Sequence, residues 1–402
     1  MKRSNLDALI MEQENLNTLT MADIEAVQRR KLKRLLALEK EREGFYKHLP
    51  ESISSLAELS SLPFTTDEDL AHKASGLLLT SQSQIRRVLS DATSGTTGAA
   101  KRVFYTEGDC EHTVRLFMAG LSELVFPGSV TMICMPFSGP YGLGELIAEA
   151  IERLGARPLK LGCLLSYGEF TEVMTRERPD SFIGMPVQLL SILRVCGKGS
   201  LQRALVSGDA CPDSVLRCCE AILGAKLFPH YGSREMGLGG AVTCPAHKGM
   251  HLRENHVIAE IIDGEGRVLP RGEYGELVIT TIGMEAMPLI RYRTGDYTRI
   301  LAEPCPCGSE LIRLDSLRRI GPAAEIAAMD EALFALEGLV DYKARRENGC
   351  LEITALRCGP ITEQSVRDAV ERLYPDTQIK ARLSPVKPTD KTLYLGKRRI
   401  EE

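Results

Sequence analysis

Through residues 5–45 apolar positions recur at helical spacing with charged residues filling the intervals, which predicts one or two surface helices at the amino-terminal end. Arg29, Arg30, Lys31, Lys33 and Arg34 fall on the wet face, and Glu39, Glu41 and Glu43 answer them, so this run reads as a solvated helix face rather than a phosphate patch. In the middle of the chain the pattern changes to short β-like runs alternating with helical stretches: strands over 130–135, 157–161 and 181–184, with helices over 144–154 and up to Arg178 between them. Such alternation predicts crossover units on a mainly parallel sheet. Beyond Gly240 the texture is β-rich, with runs over 256–263 and 275–282 flanking the turn Asp263-Gly264-Glu265-Gly266, and it predicts a barrel or small sheet attached to the α/β part. After Gly321 the order is helix, strand over 340–345, strand over 351–356, helix over 362–374 and strand over 378–383. The expected fold is therefore α/β: a large N-terminal domain, residues 1–316, of mainly parallel α/β sheets plus a β-rich subdomain, and a small mobile α+β C-terminal domain, residues 317–402.

Composition narrows the partners. Fifty Lys and Arg stand against 54 Asp and Glu, a net charge of -4, so neither nucleic acid nor an acidic membrane is favoured and a small molecule is expected instead. The polar, amphipathic amino terminus lacks the apolar run of a signal peptide, and no stretch is long enough to span a membrane, which places the chain in the cytoplasm. Twelve cysteines spread over 402 residues, many inside apolar segments, read mostly as buried thiols.

Candidate chemistry starts at Thr93-Ser94-Gly95-Thr96-Thr97-Gly98-Ala99-Ala100-Lys101. Hydroxyls, glycines and exposed backbone amides followed by a lysine suit a loop that wraps a polyphosphate; the glycine-to-lysine spacing is not that of a Walker loop, and a plain linker is the alternative. Cys305-Pro306-Cys307-Gly308 is a tight thiolate pair, and Cys244-Pro245-Ala246-His247 with His251 lies some sixty residues upstream. Two ligands from each arm complete a tetrahedral zinc site from Cys244, His251, Cys305 and Cys307, with His247 as the competing fourth ligand; four protein ligands leave no open position, so Zn2+ there is structural.

The Thr93–Lys101 loop also resembles the phosphate loop of the adenylate-forming superfamily. Tyr231-Gly232-Ser233-Arg234-Glu235 resembles that family's tyrosine-glycine-x-threonine-glutamate motif, Tyr292-Arg293-Thr294-Gly295-Asp296 matches its ribose motif, and Gly396-Lys397-Arg398-Arg399 is similar to the segment bearing its catalytic lysine. Within the superfamily the likeness is to the phenylacetate-CoA ligase branch, through Phe45-Tyr46, Leu62-Pro63-Phe64-Thr65-Thr66, Ser207-Gly208-Asp209, Gly249-Met250-His251-Leu252 and Pro288-Leu289-Ile290-Arg291-Tyr292. The resemblance implies an enzyme that activates a carboxylic acid with ATP as its acyl-AMP and then passes the acyl group to coenzyme A or another thiol. It implies Glu235 as holder of Mg2+, Asp296 as acceptor of the ribose hydroxyls, and Lys397 as the cation beside the reacting α-phosphate. It also implies that Ser207, Gly208, Asp209, His230 and Tyr231 flank the nucleotide with Gly232, Ser233 and Arg234, that Arg319 binds the nucleotide too, that rotation occurs near Arg318-Arg319, and that dimers occur in the branch.

Two departures matter. Arg234 stands where the family has threonine or serine, and Pro322-Ala323-Ala324-Glu325 stands where the resemblance calls for an arginine, paired aspartates and a glycine-rich stretch. Adenylation is thus better supported than transfer to coenzyme A. A carrier-protein thiol as acceptor, or a nucleotide-binding regulator without turnover, are the alternatives these departures favour.

Overall fold

A computed structural model describes residues 3–92, 100–319, 322–347, 349–392 and 400–401. Short polar side chains open its helices. Thr20 caps helix Met21–Glu41 and Thr66 caps helix Asp67–His72, each in a reciprocal box with an aspartate three residues on (Asp23 and Asp69) that satisfies two otherwise orphaned amides. Thr106 with Asp109 does the same for helix Glu107–Leu121, and Ser166 with Glu169 for helix Tyr167–Glu177. Among the described residues no helix is long and apolar enough to cross a membrane.

The chain divides into two units, the first comprising Met1–Glu123, Ser138–Ala150 and His230–Leu317. Here the amino-terminal pattern resolves into helices Asn5–Glu14 and Met21–Glu41, which bury Leu6, Leu9 and Ile10 from one and Ile24, Val27, Leu32, Leu35 and Leu36 from the other. Strands Ile85–Ala92 and Ala100–Thr106 form an antiparallel pair in register from Val88↔Phe104 to Ala92↔Ala100, so residues 93–99 connect its two strands. Val257–Ile262, Gly275–Thr281 and Tyr292–Thr298 build the β-rich sheet, all antiparallel. A second antiparallel run pairs His230 and Tyr231 with Ala241–Thr243, then Met250–Leu252, then Arg313–Leu314.

One buried arginine braces this unit. Arg291 is 2% exposed and holds φ at +51°, and its guanidinium pairs with Glu260 (3.0 Å), donates to the carbonyls of Ser60 and Leu62, and lies 4.1 Å over the Phe64 ring. The segment before helix Asp67–His72 is thereby fixed against strand Tyr292–Thr298, with Thr65 exchanging backbone bonds with Arg291 and Arg293.

The second unit comprises Leu124–Phe137, Ile151–Pro229 and Arg318–Glu402. Its parallel sheet runs Arg157–Lys160, Val130–Cys134, Ser181–Gly184, Arg203–Val206 and then Phe228 and Pro229. The strands expected over 130–135, 157–161 and 181–184 lie within one residue of the expectation, while the helix expected over 362–374 is shorter, Glu363–Glu371, and the strands expected over 340–345 and 378–383 are longer, Leu339–Glu347 and Gln378–Pro385. Ser181–Gly184 is buried along its whole length, as a strand covered on both faces must be. Residues 339–401 form a four-stranded sheet in the order Gln378–Pro385, Cys350–Arg357, Leu339–Glu347, Ile400–Glu401, with helices Pro322–Phe334 and Glu363–Glu371. Those helices share a core with the parallel part, where Leu189, Leu193, Val215 and Cys219 meet Met329, Leu333 and Phe334. Glu331 accepts the backbone N–H of Ser214 (2.8 Å) at the start of helix Asp213–Leu223, an anion placed on a helix N-terminus by a segment more than a hundred residues away.

Candidate functional site

Glu235 lies in a short 3-10 turn, Arg234–Met236, immediately after the strand ending at Tyr231. The turn folds back tightly: Leu238 donates its N–H to the Ser233 carbonyl (2.8 Å) and Gly240 to that of Tyr231 (3.0 Å). A Cβ on Gly232 would lie 2.5 Å from the Leu238 oxygen and 2.8 Å from Gly239 Cα, so glycine is the residue that fits. Tyr105 anchors the turn from the neighbouring hairpin, its hydroxyl donating to the Arg234 carbonyl at 2.6 Å.

Around Glu235 the structure gathers opposite charges. Lys101 Nζ is 3.6 Å from Glu235 and 2.9 Å from Asp67, and the Tyr292 hydroxyl donates to Asp67 (2.5 Å) and lies 3.3 Å from Glu235. Burial and the two carboxylates, Glu235 foremost, push the Tyr292 phenol far above its ordinary range, so it remains a proton donor. Of these, Lys101 follows from the sequence, whereas the parts played by Asp67 and Tyr292 do not. Their signals were faint: Asp67 directly follows the Leu62–Thr66 segment, and Tyr292 opens the ribose motif.

Asp296 sits four residues beyond Tyr292 on the same strand, and both are buried. The register there shifts: Glu276 faces Tyr297 while Val278 faces Arg293, so two extra residues bulge out in the strand carrying Thr294, Gly295 and Asp296. Gly295 adopts φ +69°, and its N–H donates to Glu276, which also pairs with Arg293. Asp296 accepts the Tyr231 hydroxyl at 2.9 Å, so the first residue of the glutamate motif and the last of the ribose motif are joined by one hydrogen bond.

His230, beside the Phe117 ring, is held neutral, its pKa pushed down to about 4 by burial. Ser207, Gly208 and Asp209 belong to the second unit, at the carboxyl end of strand Arg203–Val206, with Gly208 at φ +85°. Arg319 contributes backbone to the short strand Arg318–Arg319. Thr93, Ser94, Gly95, Thr96, Thr97, Gly98 and Lys397, and the side chain of Arg319, lie outside the described residues.

Cys244, His251, Cys305 and Cys307 converge elsewhere in the first unit, all buried, with their donor atoms within 4.8 Å of one another. Cys244 and Cys305 sulfurs are 3.7 Å apart, and Cys307 Sγ is 3.4 Å from His251 Nε2. A tetrahedral ion with bonds of about 2.3 Å to sulfur would set neighbouring sulfurs about 3.8 Å apart, which this spacing matches. His251 is positioned by strand pairing with Arg313, and its Nδ1 lies 3.3 Å from the Leu311 carbonyl, the second partner that leaves Nε2 to face the thiols. Burial pushes the Cys244 thiol up to about 12 and His251 down to about 4: this pocket disfavours isolated charge, and a divalent cation would reverse that for the thiols. His247 is not part of the converging set.

Residues 90–286, which contain the Lys101–Glu235 pair, match the family of AMP-binding enzymes. The phenylacetate-coenzyme A ligase of Thermus thermophilus is 31% identical over 340 residues, covering 76% of this chain and 72% of that one. The chain belongs to the phenylacetate-CoA ligase family of AMP-binding enzymes. The family member of Pseudomonas putida is 29% identical over 328 residues, covering 76% of this chain and 69% of that one. Among solved structures, a 2-hydroxyisobutyryl-CoA ligase in complex with an acyl-AMP superposes with a TM-score of 0.79 at 17% identity, covering 96% of this chain and 91% of that one; at that identity the likeness establishes the fold. Family membership makes the chain an adenylate-forming acid–thiol ligase.

Proposed function

We propose that this ligase joins a carboxylic acid to AMP from ATP, releasing pyrophosphate, and then forms the thioester with coenzyme A. The observation that carries the reading is the Lys101–Glu235 pair, 3.6 Å apart, at the foot of the residue 93–99 connection and beside the strand that carries Asp296. Lys101 supplies countercharge to phosphate, and Asp296, already oriented by Tyr231, offers carboxylate oxygen to ribose hydroxyls. Glu235, nearly buried and facing a cation, would hold Mg2+, which supplies charge to the triphosphate when bound. Lys397 would meet the negative charge that builds as the carboxylate attacks the α-phosphorus. Positioning and electrostatics account for catalysis, so no protein nucleophile is required.

ATP–pyrophosphate exchange over aryl, arylacetic and short aliphatic acids tests the first half-reaction. A silent panel despite normal ATP binding would favour a regulator instead. A second reading of the acceptor is supported by one feature: helix Pro322–Phe334 begins where the resemblance calls for the glycine-rich hinge. Comparing thioester formation on coenzyme A with acylation of a carrier-protein thiol separates the two.

The four buried donors would hold one structural Zn2+, tying the turn after strand Ala241–Thr243 to the Cys305–Cys307 turn.

A further inference from the structure

The first unit holds a cavity of about 380 Å³ away from the groups assigned above, lined by residues of both amino-terminal helices, of helix Glu107–Leu121, and of residues 253–256 with Gly283. Five cationic side chains, Arg30, Lys31, Arg34, Arg115 and Arg253, face one carboxylate, Glu14. That carboxylate is already committed, bound by Arg30 (2.8 Å), Lys31 (2.5 Å) and the Asn255 amide (2.9 Å), and Arg115 pairs with Glu12.

Arg253 is the exception. It is 2% exposed, donates to the His112 carbonyl (3.1 Å) and approaches Gln13 (3.5 Å), and has no carboxylate within ion-pair distance among the described residues. Its Nε is unpartnered, as are Gln13 Nε2, His112 Nδ1 and His256 Nε2, all buried. Asn255 Oδ1 is a buried acceptor without a partner in the same lining, and a neutral imidazole nitrogen can donate or accept, so what sets the cavity apart is the net positive charge of its lining around a guanidinium with no ion pair among the described residues. Water can satisfy neutral donors in a polar cavity, but it does not supply the charge that a buried arginine lacks. Burial foremost, and then the proximity of Arg115, depresses the Arg253 pKa to about 10, with Glu14 opposing the shift.

We propose that this cavity binds a small phosphate-bearing ligand, with Arg253 at its floor, the His112 and His256 rings at its sides and Arg34 at its exposed rim. Its volume lies in the range of small-molecule sites and exceeds what a bare ion needs. His256 borders the residue after the Arg234–Met236 turn: its Nε2 is 3.5 Å from where a Cβ on Gly237 would lie, and Thr113, next to His112, donates to the Gly237 carbonyl at 2.7 Å. His256 thus stands between the cavity and Gly237, the residue that follows the turn carrying Glu235.

The test is thermal melting of the full chain with saturating AMP filling the nucleotide site, titrated with inorganic phosphate, glycerol 3-phosphate and, at matched ionic strength, chloride. The wild type is expected to melt higher as either phosphate compound rises and not with chloride; a larger rise with the ester identifies an organic phosphate, an equal rise inorganic phosphate. Arg253→Met is expected to melt no lower than wild type without phosphate, because an unpaired buried charge has been removed, and to lose at least about tenfold in phosphate affinity. Arg34→Ala, an exposed change, is expected to weaken binding about threefold or more and decides the matter if Arg253→Met does not fold. No phosphate response with AMP bound, or variants that respond as strongly as wild type, overturns the proposal.

Discussion

Glu235→Gln preserves size and removes charge, so it isolates what the carboxylate does for the triphosphate. ATP–pyrophosphate exchange is expected to fall by roughly 10²-fold while the melting temperature changes little, since the turn is held by backbone bonds and Tyr105 rather than by the Glu235 side chain. Tyr231→Phe probes the other half of the site. It removes the hydroxyl's hydrogen bond to Asp296, worth about 1 kcal/mol, and is expected to raise KM for ATP about fivefold with kcat nearly unchanged. At this scale the sequence carried Glu235, Asp296 and Lys101, because motifs are local and their residue types are dictated by chemistry. It did not carry Asp67, an aspartate at the start of a short helix that nothing nearby distinguishes until Arg291 and Thr65 bring that helix to Tyr292.

Between residues and the whole stand the turns that aim the side chains. The Tyr231–Gly240 turn closes on Gly232, and Gly232→Ala is expected to cost about 1–3 kcal/mol of stability, read as a lower urea midpoint, because the clash is with backbone that cannot swing away. Exchange activity should fall with it, as Glu235 rides on the same turn. The bulge at Gly295 works similarly, keeping Tyr292 and Asp296 buried on one strand despite two extra residues. The element order was legible from periodicity to within a few residues, including the small sheet after Gly321. The bulge, and the change after Pro229 from parallel to antiparallel pairing, were not, since both depend on which strand lies alongside.

For the molecule as a whole, the test of the proposed zinc is its removal. Metal analysis is expected to give one zinc per chain, and chelation or Cys307→Ser to lower the melting temperature by more than about 5 °C, because four buried ligands from segments sixty residues apart would lose their common partner. Metal should also be released as pH falls, since thiolates must take up protons to let it go. The sequence by itself determined the fold class, the order of elements, the nucleotide motifs and the cysteine pairs, because periodicity and motif chemistry are written in neighbouring residues. Only the tertiary structure decided that His251 rather than His247 joins the three thiols, that Asp67 and Tyr292 face Glu235, and that Arg30, Lys31 and Arg34 of the second helix, on its wet face, line a cavity with Arg253. Those outcomes depend on distances between residues far apart in the chain, and burial turns such distances into charge pairing, or the lack of it.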